Sequence, residues 1–223
     1  MTQILDSIQI DTAPHPTAAV IFMHGLGDTG HGWSDIARLP VFASLGAIRF
    51  VFPHANHMPV TMNNGMSMPS WYDIDINNRE REDEAGLRAS QALIEALIER
   101  EKARGIPASR IVLAGFSQGC VMTLQTGLRH REKLAGLMCL SGYLALRPKL
   151  AAERNAHATD MPIFMAHGRF DQVLPIAWGA QSRDALASLG YQVEWHEYPM
   201  EHSSSPEELR DMAIWLRKVL ALA

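Results

Sequence analysis

Six short runs, most of them continuously apolar, recur along the chain: Ala18–Met23, Ile48–Phe52, Ile111–Ala114, Leu137–Leu140, Ile163–Ala166 and Val193–Tyr198. Each has the length and residue type of a strand covered on both sides. Helical spacing fills the intervals, predicting helices over Ser34–Ala43, Asp83–Arg104, Gln118–Arg129, Ala177–Leu189 and Pro206–Leu220. In the last of these, Leu209, Met212, Ala213, Leu216, Val219 and Leu220 fall on one face. Pro206 suits the first turn there, and Ser205 stands where a capping hydroxyl is wanted. Ile4–Ile10 alternates weakly and is expected as an antiparallel edge strand. Strand and helix in alternation predict an α/β fold with a mostly parallel central sheet and helices on both faces. Repeats, low-complexity tracts and linkers are not seen, so residues 1–223 are expected to form one domain.

The segment Pro53–Glu82 breaks the alternation. Pro53, Pro59, Pro69 and Asn63-Asn64-Gly65 predict a long loop with a tight turn. Met58, Met62, Met66, Met68, Trp71 and Tyr72 make it unusually apolar for a loop. Two readings stand side by side: the wall of a pocket that accepts varied apolar shapes, or a satellite hydrophobic cluster beneath the loop.

Composition narrows the function classes. Apolar residues at 47% and charged residues at 20% are ordinary for a globular protein. A net charge of −4 gives no electrostatic case for nucleic acid or an anionic membrane. Cys120 and Cys139 follow no metal-ligand spacing and read as buried small hydrophobes in a reducing compartment. The first residues lack a basic stretch followed by an apolar one, and no apolar run reaches membrane-spanning length. The protein is expected to be cytoplasmic, without stable membrane insertion.

The chemistry begins at Gly115-Phe116-Ser117-Gln118-Gly119, where the Ile111–Ala114 strand should end and a helix begin. A Gly-x-Ser-x-Gly segment between strand and helix is the nucleophile elbow of α/β-hydrolases. The turn is so tight that side chains at the two glycine positions would collide, and it leaves the serine hydroxyl exposed. It also points the Gln118 N–H towards the site.

A serine nucleophile needs a base, and the base needs a third group to fix its tautomer. In this fold the order along the chain is Ser, acid, His, each beyond the C-terminal end of a strand. His15, His24, His31, His54 and His57 precede Ser117; His130 lies at a helix end, His157 in a polar loop and His196 within a predicted strand. His167 directly follows a strand and competes, but its acid would then have to come earlier. His202, after the last strand and before the last helix, stands where the base belongs. Asp171, on the loop leaving Ile163–Ala166, is the candidate acid, against Asp160 before that strand, Glu197 inside the next and Asp184 in a helix. The bland alternative for Asp171 is a turn or capping aspartate.

Negative charge on a tetrahedral intermediate also needs donors. Gln118 N–H supplies one, and His24-Gly25-Leu26-Gly27-Asp28, following the first long strand, nominates Leu26 N–H as the other. A glycine-rich loop there could instead cradle phosphate, but the third glycine of the dinucleotide fingerprint and the P-loop lysine are both missing.

These motifs, with Thr29-Gly30, Met68-Pro69-Ser70-Trp71-Tyr72-Asp73, His167-Gly168 and Met200, occur in order over nearly the whole chain. Together they resemble the carboxylesterase/acyl-protein thioesterase (phospholipase/carboxylesterase) family of compact α/β-hydrolases. The resemblance implies Ser117 as nucleophile, Asp171 as acid, His202 as base, and Leu26 and Gln118 as oxyanion donors. It further implies that Trp71 and its loop help to form the acyl pocket, and that homodimers are common. Two positions depart from the family pattern: Cys120 follows the elbow's second glycine, and Glu201 precedes the histidine, each where the family usually has Gly.

The reading that follows is a serine carboxylesterase for short- to medium-chain acyl esters, working through an acyl-enzyme. Acyl-protein thioesterase or lysophospholipase activity is the alternative, since esters and thioesters pass through the same oxyanion. A non-catalytic binding module on a hydrolase fold is the rival from another class, and its mark, a broken triad or blocked loop, is not seen. No metal or organic cofactor is suggested. A cap domain would have to enter at Ser141–Pro162, whose Arg147-Pro148-Lys149 and Glu153-Arg154-Asn155 read as polar or turn-like and too short for a core of its own.

Overall fold

A computed structural model describes residues 4–75 and 81–222. Its strands are β1 (Ser7–Asp11), β2 (Ala18–Met23), β3 (Ile48–Pro53), β4 (His57–Pro59), β5 (Ser67–Pro69), β6 (Ile111–Phe116), β7 (Gly136–Leu140), β8 (Ile163–Gly168) and β9 (Val193–Tyr198). Seven of them form one sheet in the order β1-β3-β2-β6-β7-β8-β9, parallel except for β1, which pairs antiparallel with β3 through Ser7↔Pro53 to Asp11↔Arg49. The weakly alternating N-terminal run is thus the antiparallel edge strand its pattern predicts.

The helices are α1 (His31–Ser34), α2 (Pro40–Ala43), α3 (Glu84–Ala103), α4 (Gln118–Gly127), α5 (Arg147–Glu153), α6 (Ile176–Ser188) and α7 (Pro206–Val219). They cover both faces. Alternate residues of β2 sort between two cores: Ala19, Ile21 and Met23 pack with α3, α4 and α6, whereas Ala18, Val20 and Phe22 pack with Trp33, Phe42 and α7. Both faces of the strand are therefore apolar, as its unbroken hydrophobic run requires. Among the described residues no helix is long and apolar enough to cross a membrane.

Three segments differ from the sequence expectation. Ser34–Ala43 is not one helix: Leu39 is extended at φ −62°, ψ 138° because Pro40 follows it, and the segment splits into α1, a 3₁₀ turn over Asp35–Arg38 and α2. Arg147–Glu153 forms the short α5, started by a proline in its first turn and anchored by the buried Leu150. It adds a surface helix to the sheet's flank and no separate cap domain. The long loop contains a hairpin, β4–β5, pairing Met58 with Met68. Its turn passes through Asn64 at φ 53° and Gly65 at φ 75°, the left-handed conformation that Asn-Gly accepts cheaply. Residues 76–80 of that loop, and the first three residues, lie outside the described residues.

Candidate active site

The C-terminal ends of the parallel strands β2, β6, β8 and β9, with β7 between β6 and β8, lie along one edge of the sheet, where α/β folds place their ligand crevices. The loops leaving them carry Leu26, Ser117, Asp171 and His202. Ser117 sits between β6 and α4 at φ 56°, ψ −117°, a left-handed conformation costly for any residue but glycine. Close packing holds it there. A Cβ on Gly115 would lie 2.3 Å from the Gly119 carbonyl, and one on Gly119 would lie 2.1 Å from Met23 O. The Ser117 N–H donates to Leu140 O at 2.9 Å, tying the turn to β7.

Ser117 Oγ is 2.9 Å from His202 Nε2, and His202 Nδ1 is 2.6 Å from Asp171 Oδ2. The other carboxylate oxygen of Asp171 accepts from the N–H groups of Val173 and Leu174, at 2.9 and 2.8 Å. Those two bonds hold the carboxylate with one oxygen facing the imidazole. Phe116 packs on the His202 ring with centroids 4.7 Å apart. Thus the three residues expected as nucleophile, base and acid stand in one hydrogen-bonded line from three separate loops.

His167, the competing histidine, is placed differently. It belongs to β8 itself, is buried, and donates from Nε2 to Leu174 O at 2.8 Å while standing 3.4 Å from Asp171 Oδ2. Burial holds its pKa below the ordinary histidine value. It packs behind the carboxylate, away from the serine.

Leu26 and Gln118 border the same opening. Among the described residues, neither backbone N–H meets an acceptor. A cavity of about 260 Å³ opens in front of Ser117, His202, Leu26 and Gln118, walled by Trp33, Met62, Tyr72, Ile74, Tyr143 and Val173. Met62 from the methionine-rich loop therefore reaches the cavity. Trp71 does not line it. The indole is buried beneath the loop after β2, donates from Nε1 to His24 O at 2.9 Å, and packs 5.2 Å from the His24 ring. Its neighbour Tyr72 forms the wall that the resemblance implied for Trp71.

The side chain of Gln118 has a role its sequence context did not reveal. It is buried, accepts from Trp71 N–H at 2.9 Å, and donates to Tyr72 O at 2.7 Å and Ser70 Oγ at 3.0 Å. The residue after the serine thus fastens the base of the β4–β5 hairpin to the elbow. A buried amide in a helix's first turn was the available signal, since such a group must find partners. Cys120 is buried in α4 beside Cys139, both thiols free, and its sulfur fills the space next to Gly142. Glu201 is exposed to solvent.

Metal-ligand geometry occurs elsewhere: among the described residues, Glu99, His130 and Glu132 bring ligand atoms within 4.8 Å of one another. Lys102 Nζ already bonds both of those carboxylates, and none of the three residues lines the cavity.

The chain also resembles known proteins in sequence and in fold. The family model described as Phospholipase/Carboxylesterase matches residues 7–220. A protein of Yarrowia lipolytica named acyl-protein thioesterase 1 is 41% identical over 218 residues, covering 95% of this chain and 96% of its own length. The acyl-protein thioesterase 1 of Neurospora crassa is 47% identical over 203 residues, covering 86% and 83%. Among solved structures, Zea mays acyl-protein thioesterase 2 superposes with a TM-score of 0.87 at 25% identity, over 96% of this chain and 99% of that one. Esterase PE8 superposes with a TM-score of 0.84 at 26% identity, over 98% and 100%.

Proposed function

The chain belongs to the phospholipase/carboxylesterase family of α/β-hydrolases and is a serine hydrolase acting on esters and thioesters; from that premise we propose that it hydrolyses acyl thioesters through a Ser117–His202–Asp171 triad. The observation that carries the triad is the unbroken hydrogen-bonded line from Ser117 Oγ to Asp171 Oδ2 at the mouth of an apolar cavity. The thioester emphasis is drawn from the relatives named acyl-protein thioesterase, at 41% and 47% identity. They favour it over a carboxylesterase devoted to short- and medium-chain esters.

In this reading Ser117 Oγ attacks the acyl carbonyl carbon and its proton passes to His202 Nε2. Asp171, fixed by two backbone N–H groups, accepts from Nδ1 and stabilises the imidazolium. The carbonyl oxygen becomes an oxyanion between Leu26 N–H and Gln118 N–H, each donor worth on the order of 3 kcal/mol to the transition state. Collapse expels a thiolate, a far better leaving group than an alkoxide given a thiol pKa of about 8.5. The imidazolium gives its proton to the departing thiolate. The neutral His202 then deprotonates a water that attacks the acyl-enzyme carbonyl, and collapse releases the carboxylic acid as His202 returns that proton to Ser117 Oγ. The acyl chain lies against Met62, Tyr72, Ile74 and Val173, all of the chemistry belonging to a single hydrolase domain.

The test is a panel of acyl thioesters and matched oxygen esters of graded chain length, lysophospholipid included, compared by kcat/KM. Higher values for thioesters at matched chain length support the proposal, and a uniform preference for oxygen esters overturns its thioester part. Ser117→Ala should abolish fluorophosphonate labelling and lower turnover roughly a millionfold. Near-normal turnover in a contaminant-free Ser117→Ala sample would remove Ser117 from the mechanism.

A further inference from the structure

His24 is fully buried, and the chemistry above makes no use of its imidazole. Its Nε2 lies 3.1 Å from the Ala55 N–H, which can only donate, so that nitrogen accepts and carries no proton. The neutral ring must then hold its proton on Nδ1. Nδ1 stands 2.7 Å from Gly25 O and therefore donates to it. Burial favours this neutral form, lowering the His24 pKa against the opposing influences of the hydrogen bond to Gly25 O and the nearby Asp28 carboxylate, with His54 adding to the depression.

The Gly25 carbonyl so held belongs to the peptide that carries the Leu26 N–H. No cis peptide occurs in the described chain, and across a planar trans peptide the C=O and N–H point in opposite directions. Fixing the carbonyl towards His24 thereby fixes the Leu26 N–H on the other side. That peptide adjoins the nucleophile: a Cβ built on Gly25 would be only 3.4 Å from Ser117 Cβ. Glycine at this position offers little resistance to peptide rotation, and a rotated peptide would present a carbonyl oxygen where a donor is needed. The Asp28 N–H also reaches Gly25 O, but at 3.3 Å. His24 is itself anchored, its own carbonyl accepting from Trp71 Nε1 at 2.9 Å.

We propose that His24 is a positioning residue whose Nδ1–H locks the Gly25–Leu26 peptide with its N–H aimed at the oxyanion. The proposal rests on the assignment of Leu26 and Gln118 as oxyanion donors.

Two carboxamide replacements separate the two ring nitrogens. In His24→Asn the amide N–H can stand near the Nδ1 position and still donate to Gly25 O. In His24→Gln the amide oxygen can reach the Nε2 position and accept from Ala55, leaving Gly25 O without its donor. The assay is p-nitrophenyl butyrate hydrolysis, together with the Ki of an alkyl trifluoromethyl ketone, which forms a tetrahedral adduct. His24→Asn should keep kcat within about fivefold of wild type, whereas His24→Gln should lose about ten- to a hundredfold in kcat with KM nearly unchanged. The Ki of the ketone should rise in step with the fall in kcat/KM, as expected for a loss felt only in the transition state.

Equal losses in the two variants, the reverse order, or a loss confined to KM would overturn the proposal. Each variant also decides alone if the other does not fold, because a wild-type kcat in His24→Gln or a hundredfold loss in folded His24→Asn is each incompatible with it. The wild-type protein supplies a check free of substitution: ¹⁵N NMR of the ring should show the Nδ1–H tautomer, and an Nε2–H tautomer would overturn the assignment. A protein that cleaves p-nitrophenyl butyrate but no thioester would overturn the thioester reading and leave this comparison intact. Wild-type ester hydrolysis persisting in Ser117→Ala would instead identify the nucleophile assignment as the failure.

Discussion

Glu208, in the first turn of α7, is fully buried with neither carboxylate oxygen in a good hydrogen bond, and its pKa is pushed up to about 8. Burial is the cause; the nearby Ser205 N–H pulls the other way and Asp211 adds to the rise. A folded-state pKa above the unfolded value means that the folded protein keeps a proton the unfolded chain releases. Stability from this group is therefore complete below the ordinary value of 4.5 and is lost as pH rises towards 8. The gap corresponds to on the order of 5 kcal/mol across the whole interval, or about 1.4 kcal/mol per pH unit within it. Glu208→Gln keeps the shape and removes the titration. The stability of wild type minus that of Glu208→Gln should fall steadily between pH 5 and pH 8 and level off above that range. In thermal denaturation at pH 5, 6, 7 and 8, about 2–4 °C per kcal/mol predicts a relative loss on the order of 10 °C for wild type. A difference between the two proteins that stays constant with pH would refute the reasoning, because it would mean that Glu208 titrates no differently in the folded and unfolded states.

Three further outcomes follow from the site. Asp171→Asn should lower kcat by on the order of ten-thousandfold with the fold intact, because an amide at Oδ2 favours the wrong His202 tautomer; an unchanged rate would point to another acid. Gln118→Leu should destabilise the protein by about 2–5 kcal/mol, as the Trp71 N–H and Tyr72 carbonyl lose buried partners, and should raise KM more than it lowers kcat. Urea denaturation and steady-state kinetics check both parts. Tyr143→Ala should shift the chain-length optimum upwards: Tyr143 and Tyr72, with hydroxyls 3.3 Å apart, stand between the main cavity and a second one of about 50 Å³ lined by Asp73, Arg81 and Leu144. An unmoved optimum across an acyl series would show that chain length is limited elsewhere.

The legible parts of this protein were those governed by local rules. Ala18–Met23 and Val193–Tyr198 occupy the strands their residue types predicted, and α7 begins at Pro206 with Ser205 Oγ accepting from the Glu208 N–H at 3.1 Å. The elbow was readable because steric necessity leaves a fixed pattern of glycines around Ser117. The illegible parts depend on partners distant in the chain. Whether Trp71 faced the cavity or the core was decided by His24 O, 47 residues away, and by the Gln118 amide. The break at Leu39 could have been read from Pro40, but the amphipathic spacing around it favoured a continuous helix. α5 escaped notice because its buried face is reduced to Leu150, too little to generate a periodic signal.

The β4–β5 hairpin is fastened at its base by the Gln118 amide, the Trp71 indole on His24 O, the Ser90 hydroxyl on Trp71 O and the Gly27 N–H on Pro69 O, while Met62 and Met66 at its far end remain exposed to solvent. The catalytic loops thus hold the hairpin at its base, and among the described residues its tip makes no hydrogen bond to Ser117, His202 or Asp171. A lineage can exchange the residues of the hairpin tip, lengthen it or change its polarity while the elbow stays in register. Selection can thus act on what the enzyme accepts separately from how it reacts, so duplicated copies of such a gene can diverge in substrate range through a few substitutions in one short loop.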